Sequence, residues 1–198
     1  MRASRATKFL CAGLLVLTAC NPSQITKSEA TSSQADTLPF ISKRKFNHTK
    51  EITTTYDRFK GETTVELTLE KVNSYKSEGH FYFIGFSFTY PEQTVITPKD
   101  VLLTVSSFSD EKRFSERDTL DVIILADGQR FILGKMNLSK TENLKLIYQE
   151  TLTLAIPYAS YIKIASSNDV EMRLGETEFS LTQEQIEALR DLGSRMMP

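Results

Sequence analysis

From about residue 52 onward, hydrophobic and polar side chains alternate with a period of two. Because successive side chains of a β-strand point to opposite faces, this period predicts strands. The clearest segment is residues 81–90, in which one face carries Tyr82, Ile84, Phe86, Phe88 and Tyr90. The opposite face also carries Phe81 and Phe83, so the pattern predicts a strand in the interior of a sheet.

Other segments predict strands of a more ordinary kind. In residues 64–72, Val65, Leu67 and Leu69 alternate with polar residues, which is typical of a strand with one solvated face. Four further strands are predicted from runs of β-branched, leucine and aromatic residues. They span residues 101–108, 120–126, 130–133 and 144–156. The body of the chain is therefore predicted to be rich in β-structure.

Asp127-Gly128 predicts a tight hairpin between two of these strands. A two-residue type I′ turn needs positive φ at both central positions, which Asp and Gly tolerate. The turn sets three pairs of residues opposite one another, namely Ile124–Phe131 and Val122–Leu133 on one face and Ile123–Ile132 on the other. Both faces are apolar, so we expect this hairpin to lie centrally in its sheet.

Gly175-Glu176 predicts a second hairpin, because the first position of a type II′ turn needs the positive φ of glycine. The turn pairs Met172 with Phe179 and Val170 with Leu181 on one face, and Arg173 with Glu178 on the other. The first face is apolar and the second is charged. We therefore expect one buried and one solvated face, with the opposite charges facing each other in solvent.

Helical patterns occur in two places near the C-terminus. Pro157 at a first-turn position predicts a short helix or turn after it, with Tyr158, Tyr161, Ile162 and Ala165 on one side. Residues 182–196 predict an amphipathic helix, because Thr182 and Gln185 can form a capping box at its start. The apolar face of this helix consists of Ile186, Leu189, Leu192 and Met196.

Strands followed by a final amphipathic helix predict a mainly β fold. We expect an antiparallel β-sandwich in which the C-terminal α-helix covers one opening or face. A small open barrel is the alternative architecture.

The N-terminal residues follow a different pattern. Three basic residues precede an apolar run over residues 9–17, and small residues then precede Cys20. This arrangement is typical of an export signal, and the run is too short for a stable membrane-spanning helix. The stretch LTAC at residues 17–20 resembles the lipobox of bacterial lipoproteins. The resemblance implies removal of residues 1–19 as a lipoprotein signal peptide and lipidation of Cys20 by chains such as palmitate.

Two other interpretations of the N-terminus stay open. A plain secretory peptide cleaved after Ala19 would leave Cys20 as an ordinary thiol, and a retained anchor would need a longer apolar stretch. If Cys20 is lipidated, Cys11 leaves with the signal and the mature chain can form no internal disulfide. Its folded part would then depend on its own hydrophobic core.

Residues 20–40 are predicted to be a flexible tether, because they contain few large apolar side chains. A coil of about twenty residues spans roughly 25 Å, which would hold a domain off the membrane while leaving it free to reorient. Residues 41–198 are predicted to form a single β-rich domain.

The charge balance limits the class of partner. Removal of the signal lowers the basic residues from 24 to 21 against 25 acidic residues, which gives a formal net charge of −4. Because phosphate binding needs a clustered basic surface, this balance argues against nucleic acid as a partner. The cluster Lys43-Arg44-Lys45 either contacts anionic headgroups beside the anchor or stays solvated.

We predict no catalytic, cofactor-binding or metal-binding residues. The imidazoles of His48 and His80 lie in predicted loops without metal-ligand spacing, so we expect both to be solvated. Ser160 and Lys163 match the S-x-x-K motif of penicillin-recognising enzymes, and Ser166-Ser167-Asn168 mimics their second motif. Those enzymes are larger and place the second motif far downstream, so we expect a surface turn of a short helix instead.

Sugar-processing clefts usually contain flat aromatic platforms, and the chain contains no tryptophan. Tyr148, Tyr158 and Tyr161 are the candidates for such a platform. We expect them instead to be half-buried, with their rings on the sheet and their hydroxyls at its rim.

The leading functional hypothesis is a membrane-anchored cell-envelope lipoprotein whose β-domain binds or assembles with another envelope component without catalysis. The alternative is an envelope hydrolase, or a lipid- or sugar-binding lipoprotein, with a site built from spatially convergent residues. A concave pocket with two carboxylates, or Ser160 beside Lys163, would favour the alternative. A contiguous exposed apolar patch would favour the binding function.

Two further resemblances bear on location only. Asn21 follows the cysteine where inner-membrane retention signals have an aspartate, so outer-membrane sorting is favoured if the host has an outer membrane. Residues 170–196 resemble the ends of uncharacterised exported bacterial proteins, which implies no function.

Overall fold

The computed structural model describes residues 39, 41, 45–69, 81–114, 120–145 and 147–197. The predicted signal peptide (1–19), Cys20 and nearly all of the predicted tether (20–40) lie outside the described residues. The same is true of His80 and of two residues of the basic cluster, Lys43 and Arg44. Lipidation and cleavage therefore stay predictions.

Ten strands and two helices make up the secondary structure of the described residues. The strands are β1 (Ile52–Asp57), β2 (Glu62–Leu69), β3 (Phe81–Pro91), β4 (Asp100–Ser109), β5 (Asp121–Ala126), β6 (Gln129–Lys135), β7 (Asn137–Asn143), β8 (Tyr148–Pro157), β9 (Val170–Leu174) and β10 (Thr177–Ser180). The helices are α1 (Tyr158–Ala165), between β8 and β9, and α2 (Gln183–Ser194) after β10.

The strands form two antiparallel sheets packed together. Sheet A has six strands in the order β1-β2-β3-β4-β8-β7, and sheet B has four in the order β10-β9-β5-β6. The prediction of a mainly β, antiparallel sandwich with a C-terminal helix is confirmed, and the sheets do not form a closed barrel. The five alternating residues of β3 listed above are all buried in the core, as predicted.

Helix α2 begins as the capping box predicts. The Thr182 side chain accepts a hydrogen bond from the backbone N–H of Gln185, and the Gln185 side chain accepts one from the Thr182 N–H. The helix spans 183–194 rather than the predicted 182–196, because Thr182 is its N-cap and Arg195 its C-cap. Its predicted apolar face is buried.

Helix α1 confirms the prediction of a short helix after Pro157, and its C-terminal end is fixed by Arg190 of α2. The Arg190 guanidinium donates hydrogen bonds to the carbonyls of Ala165, at 3.2 Å, and Ser167, at 2.6 Å. It also donates to the Asn168 side-chain oxygen at 3.0 Å. An arginine suits this position because the last carbonyls of a helix lack intrahelical donors and carry partial negative charge. Arg190 thus joins the two helices.

Both predicted hairpins are present, and one of them differs in register from the prediction. Asp127 and Gly128 have φ of 48° and 80°, as a type I′ turn requires. Ile124 pairs with Phe131 and Ile123 with Ile132, but Val122 pairs with Gly134 instead of the predicted Leu133. A bulge between Val122 and Ile123 inserts one residue. The second hairpin has the predicted pairs Met172–Phe179 and Arg173–Glu178.

The prediction that the first hairpin lies centrally in its sheet is confirmed for β5 and wrong for β6. Strand β5 lies inside sheet B, between β9 and β6, but β6 is an edge strand. The Ile132 side chain is therefore 70% exposed, although its sequence context is that of a buried strand. Apolar residues on both faces of a hairpin do not by themselves place both strands in the interior.

Strand β7 was not predicted, because its residues are almost all polar. Only Met136 separates it from β6, and Gly134, with φ of 98°, lies just before this junction. Met136 is buried, and the chain passes there from sheet B to sheet A. Neither helix of the described region is long and apolar enough to cross a bilayer.

Candidate functional site

The outer face of sheet B, which we call the open face, brings together aliphatic and charged side chains. Strand registers align its residues in two rows, Glu178–Arg173–Ile123–Ile132 and Ser180–Glu171–Leu125–Arg130. Ile132 is 70% exposed and Leu125 is 40% exposed. The aliphatic side chains of Ile123, Leu125 and Ile132 therefore adjoin charged residues of β9 and β10 and also Arg130 of β6.

A groove of about 480 Å³ lies on the open face. Its walls include the aliphatic side chains of Ile123 and Leu125 and the charged side chains of Arg130, Arg173, Glu171 and Glu178. Ligand sites in proteins are usually concave and mostly apolar, with a few polar groups that orient the ligand. The groove differs from such sites in its larger share of charged side chains, four of the nine residues that line it.

The charged groups of the groove are not engaged with one another. Arg173 lies opposite Glu178 in the register, as the sequence predicts, yet within the described ranges no ion pair joins them. Arg130 and Glu171 likewise form no ion pair with any described residue. These side chains are exposed, so their charges are free to contact a ligand or partner.

The groove satisfies one condition that would favour hydrolysis, since it contains two carboxylates, Glu171 and Glu178. A carboxyl group that donates a proton in glycoside hydrolysis needs a desolvated environment that keeps it neutral. Both glutamates are exposed instead. Arg173 is two residues from Glu171 on the same face and opposite Glu178, so a cation adjoins each carboxylate. The arrangement is better suited to charge recognition than to acid catalysis.

A second groove, of about 330 Å³, lies where the N-terminal segment, residues 45–50, meets α2. His48 Nε2 lies 3.1 Å from Asp191 Oδ2, and the His48 side chain is only 7% exposed. The expectation of a solvated loop histidine is therefore wrong for His48. Sequence analysis missed this contact because His48 and Asp191 are 143 residues apart.

The His48–Asp191 pair lacks the other parts of a nucleophilic site. Asp191 also binds Arg195, at 3.1 Å, so its carboxylate is shared with a cation of its own helix. His48 Nδ1 is buried and has no hydrogen-bond partner among the described residues, so no described serine or threonine is placed to be activated by it. The pair instead attaches the N-terminal segment to α2.

Thr49 and Glu184 form a second attachment between the same two elements. The backbone N–H of Thr49 donates to Glu184 Oε1 at 2.9 Å, and the Thr49 hydroxyl donates to the same oxygen. These hydrogen bonds lower the pKa of Glu184, because they stabilise the ionised carboxylate. Ile41, near the start of the described chain, packs on Gly193 of the same helix.

The S-x-x-K residues do not form a site. Ser160 and Lys163 lie one turn apart on α1, no hydrogen bond between them is found among the described residues, and neither lines the two grooves above. The Ser166 and Ser167 hydroxyls donate to the carbonyls of Ile162 and Lys163, one turn earlier. Ser166 and Ser167 therefore complete the end of α1, and Ser160 and Lys163 lie on a turn of this short helix.

Glu150 is a buried carboxylate that the sequence analysis missed. It has no exposed surface, and its Oε2 accepts hydrogen bonds from the backbone N–H groups of Arg113 and Phe114. The Arg113 guanidinium in turn donates to the Tyr82 hydroxyl at 3.1 Å. The hydrogen bonds to Glu150 hold the 110–114 loop in place. Because Glu150 is buried, a substrate cannot reach it.

The three tyrosines proposed for a platform are not equivalent. Tyr148 and Tyr158 are half-buried, as expected, but Tyr161 is fully buried and donates a hydrogen bond to the Leu189 carbonyl at 2.9 Å. Burial raises the pKa of Tyr161 well above its ordinary value, and the nearby Asp191 charge raises it further. Tyr161 is therefore a neutral donor inside the helix packing, and the expectation of a rim hydroxyl is wrong for it.

Among the described residues, no group of three or more His, Cys, Asp or Glu side chains is arranged to hold a metal ion. Comparisons with protein-family models, with curated proteins and with solved structures find no match to this chain. The open face is therefore assigned from its own geometry. Its sequence signal was the apolar reverse side of the first hairpin, Ile123 and Ile132, which the pattern assigned to a buried sheet.

Proposed function

We propose that this protein is a membrane-anchored cell-envelope lipoprotein that acts without catalysis, and that its open face binds another envelope component. The observation that carries the binding function is the groove of about 480 Å³, which is lined by aliphatic side chains and by charged side chains that form no ion pair with any described residue. Exposed aliphatic residues beside charged ones are typical of interaction surfaces. The anchor rests on the resemblance of residues 17–20 to a lipobox.

The contacts of the titratable and nucleophilic side chains support binding over hydrolysis. His48 is held by Asp191, Glu150 is buried against backbone N–H groups, and the Ser166 and Ser167 hydroxyls bind carbonyls of α1. Catalysis needs reactive groups that converge on an accessible position. Each of these groups is instead used to hold the fold together.

The anchor is tested by mass spectrometry of the native N-terminus and by membrane fractionation of a Cys20→Ser variant. We expect an acylated Cys20 at the mature N-terminus, and we expect the variant to leave the membrane fraction. A variant that fractionates as the natural chain does would contradict the anchor. Because Cys20 is not one of the residues of the open face, the substitution changes none of the side chains there.

The binding function is tested by site-specific photocrosslinking in intact envelopes. A photoreactive amino acid at Ile132 samples the open face, and the same amino acid at Thr68 samples the exposed outer face of sheet A as a matched control. We expect a defined crosslinked species from position 132 that is weak or absent from position 68. Equal labelling from both positions, or none from position 132, would contradict a binding function of the open face.

A further inference from the structure

Strand β6 has no neighbouring strand on its outer side among the described residues, so this edge of sheet B has hydrogen-bonding groups available for another strand. Ala126 and Gln129 flank the two-residue turn, so they form a hydrogen-bonded pair. From there, hydrogen-bonded and non-hydrogen-bonded pairs alternate along β5 and β6, and Arg130 and Ile132 belong to non-hydrogen-bonded pairs. The N–H and C=O groups of Arg130 and Ile132 therefore point away from β5. The same alternation is seen on the other side of the hairpin, where the Asp127 N–H points away from β6 and donates to the carbonyl of Asp169, just before β9.

Two of the three other edge strands in the described region, β7 and β10, are less suited than β6 to pairing with a further strand. Strand β7 has a register shift after Leu138 and an ion pair between Lys140 and Glu142. Strand β10 has only four residues. Bulges, charges and short lengths are the usual devices against unwanted strand pairing. Strand β6 also has a bulge and two cations, but its residues 129–132 pair with β5 in a regular register, and the Ile132 side chain is 70% exposed.

The β6 edge is also held in a fixed position before any partner binds. The Asp127 carboxylate accepts hydrogen bonds from the backbone N–H groups of Asn168 and Asp169, both at 2.9 Å. The Asp127 N–H donates to the Asp169 carbonyl, also at 2.9 Å. The turn that starts β6 is thus fastened to the α1–β9 loop. A fixed edge lowers the entropy cost of adding a strand.

Charge selects the kind of strand that fits. Strand β6 carries two cations, Arg130 and Lys135, and no acidic residue. On an added strand, one side chain would lie beside Arg130, and the side chain two residues away would lie beside Ile132. An acidic residue suits the first position and an apolar residue the second.

A second copy of the chain fits this edge poorly for the same reason. Antiparallel self-pairing centred on Ile132, with the bulge at Leu133 kept in both copies, would place Arg130 beside the second copy's Lys135. Self-pairing centred on Phe131 would place the two Arg130 side chains diagonally across from each other. Like charges at these positions destabilise a strand pair.

We infer that β6 accepts an extended segment of another protein, with an acidic and an apolar residue two positions apart, as a fifth strand of sheet B. The inference rests on the proposed binding function and specifies how the partner binds. The apolar side chain covers Ile132, the carboxylate meets Arg130, and the backbone of the segment bonds to Arg130 and Ile132. Peptide addition to an open sheet edge obtains affinity from the main chain and specificity from alternate side chains.

The test uses two labelled seven-residue peptides, blocked at both ends, in which threonines alternate with a central valine and two flanking charged residues. The charged residues are glutamates in one peptide and lysines in the other, so the valine lies two positions from each charge on the same face. Fluorescence anisotropy measures the Kd of each for the full chain in detergent. Hydrogen–deuterium exchange of the same samples reports protection of β6. We expect the glutamate peptide to bind about five- to tenfold more tightly than the lysine peptide, the effect of one or two exposed charge pairs. We expect it to protect Arg130 and Ile132.

Two variants make the result specific. Arg130→Glu should reverse the preference between the peptides, whereas Lys140→Glu, the same change on the edge strand β7, should leave it unchanged. Thermal unfolding of both variants confirms that they are folded. Equal binding of the two peptides, binding without protection of β6, or an unchanged preference in Arg130→Glu would overturn the inference.

Failure of the inference can be distinguished from failure of the proposed function. If position 132 crosslinks a neighbour in envelopes while neither peptide protects β6, the open face binds a partner in another way and strand addition is wrong. If position 132 crosslinks only a second copy of this chain, the acidic-segment partner is wrong. If position 132 crosslinks nothing and the peptides do not bind, both proposals fail.

Discussion

The polar side chains differ between two regions of the molecule. Where the N-terminal segment meets α2 they are paired, whereas most of the charged side chains on the open face of sheet B form no ion pair with any described residue. At α2, Asp191 and Glu184 are each bound by partners from residues 48–49, and Arg190 binds the end of α1. On the open face, Arg130, Arg173 and Glu171 form no ion pair with any described residue. Both regions contain acids and bases within reach of one another.

The difference separates stability from recognition. Charge-assisted hydrogen bonds to carbonyls and backbone N–H groups are among the stronger contributions that polar groups make to a fold. Unpaired charges beside exposed aliphatic side chains contribute little to the fold but are available to a partner. We therefore expect substitutions at α2 to lower stability without affecting binding, and substitutions on the open face to do the reverse.

Arg190→Ala should have the largest effect on stability. It removes three hydrogen bonds to the end of α1, and we expect the free energy of unfolding to fall by about 2 kcal/mol. Urea denaturation measures the change, and crosslinking from position 132 should persist. Arg195→Ala is the control, because its exposed pair with Asp191 is worth only about 0.5 kcal/mol. Equal effects of the two variants would refute the role given to Arg190.

His48→Ala should have a smaller and more local effect. It removes the contact with Asp191 and a largely buried ring, and we expect a loss of about 1 kcal/mol. Hydrogen–deuterium exchange should show faster exchange at residues 45–50 than in the natural chain. Asn47→Ala, at the exposed neighbouring position, should leave exchange unchanged. Slow exchange in His48→Ala would mean that Thr49 and Ile41 suffice to hold the segment.

Ile132→Thr should change binding rather than stability. The side chain is 70% exposed, so we expect the free energy of unfolding to stay within about 0.5 kcal/mol. Binding of the glutamate peptide should weaken several-fold, because the apolar contact is lost. The reciprocal variant Thr68→Ile adds an aliphatic residue to the outer face of sheet A and should create no peptide binding. A large loss of stability in Ile132→Thr would mean that the open face belongs to the core.

Acid pH should loosen the N-terminal segment slightly, through Glu184. Hydrogen bonds from Thr49 lower the pKa of this carboxyl in the folded chain. The stabilisation is therefore complete above the unfolded-state pKa and is lost as pH falls through the lower folded-state pKa. Glu184→Gln should remove this part of the pH dependence. Exchange at Thr49, compared between variant and natural chain at neutral pH and below about pH 4, measures it.

Local features of the fold follow the sequence closely. The buried face of β3, the φ values at Asp127 and Gly128 and the capping box of α2 all agree with the predictions. Each depends on residues within a few positions of one another, so periodicity and turn chemistry contain the needed information.

Non-local features were missed or predicted wrongly. The bulge at Val122 shifts a register that the turn alone would have kept, and β7 pairs with β8 although its residues are polar. Glu150 and His48 are charged or titratable residues whose burial depends on partners far along the chain. Their partners could not be identified from spacing.

The sequence alone determined the alternating strands, the two tight turns, the C-terminal helix and the presence of apolar residues on both faces of the β5–β6 hairpin. Only the tertiary structure decided that β5 pairs with β9 on one side, while no described strand pairs with the outer side of β6. Strand order depends on which distant segments arrive at each edge, and residue patterns within a strand do not contain that information. The exposure of Ile132, and with it the candidate binding surface, is a consequence of that order.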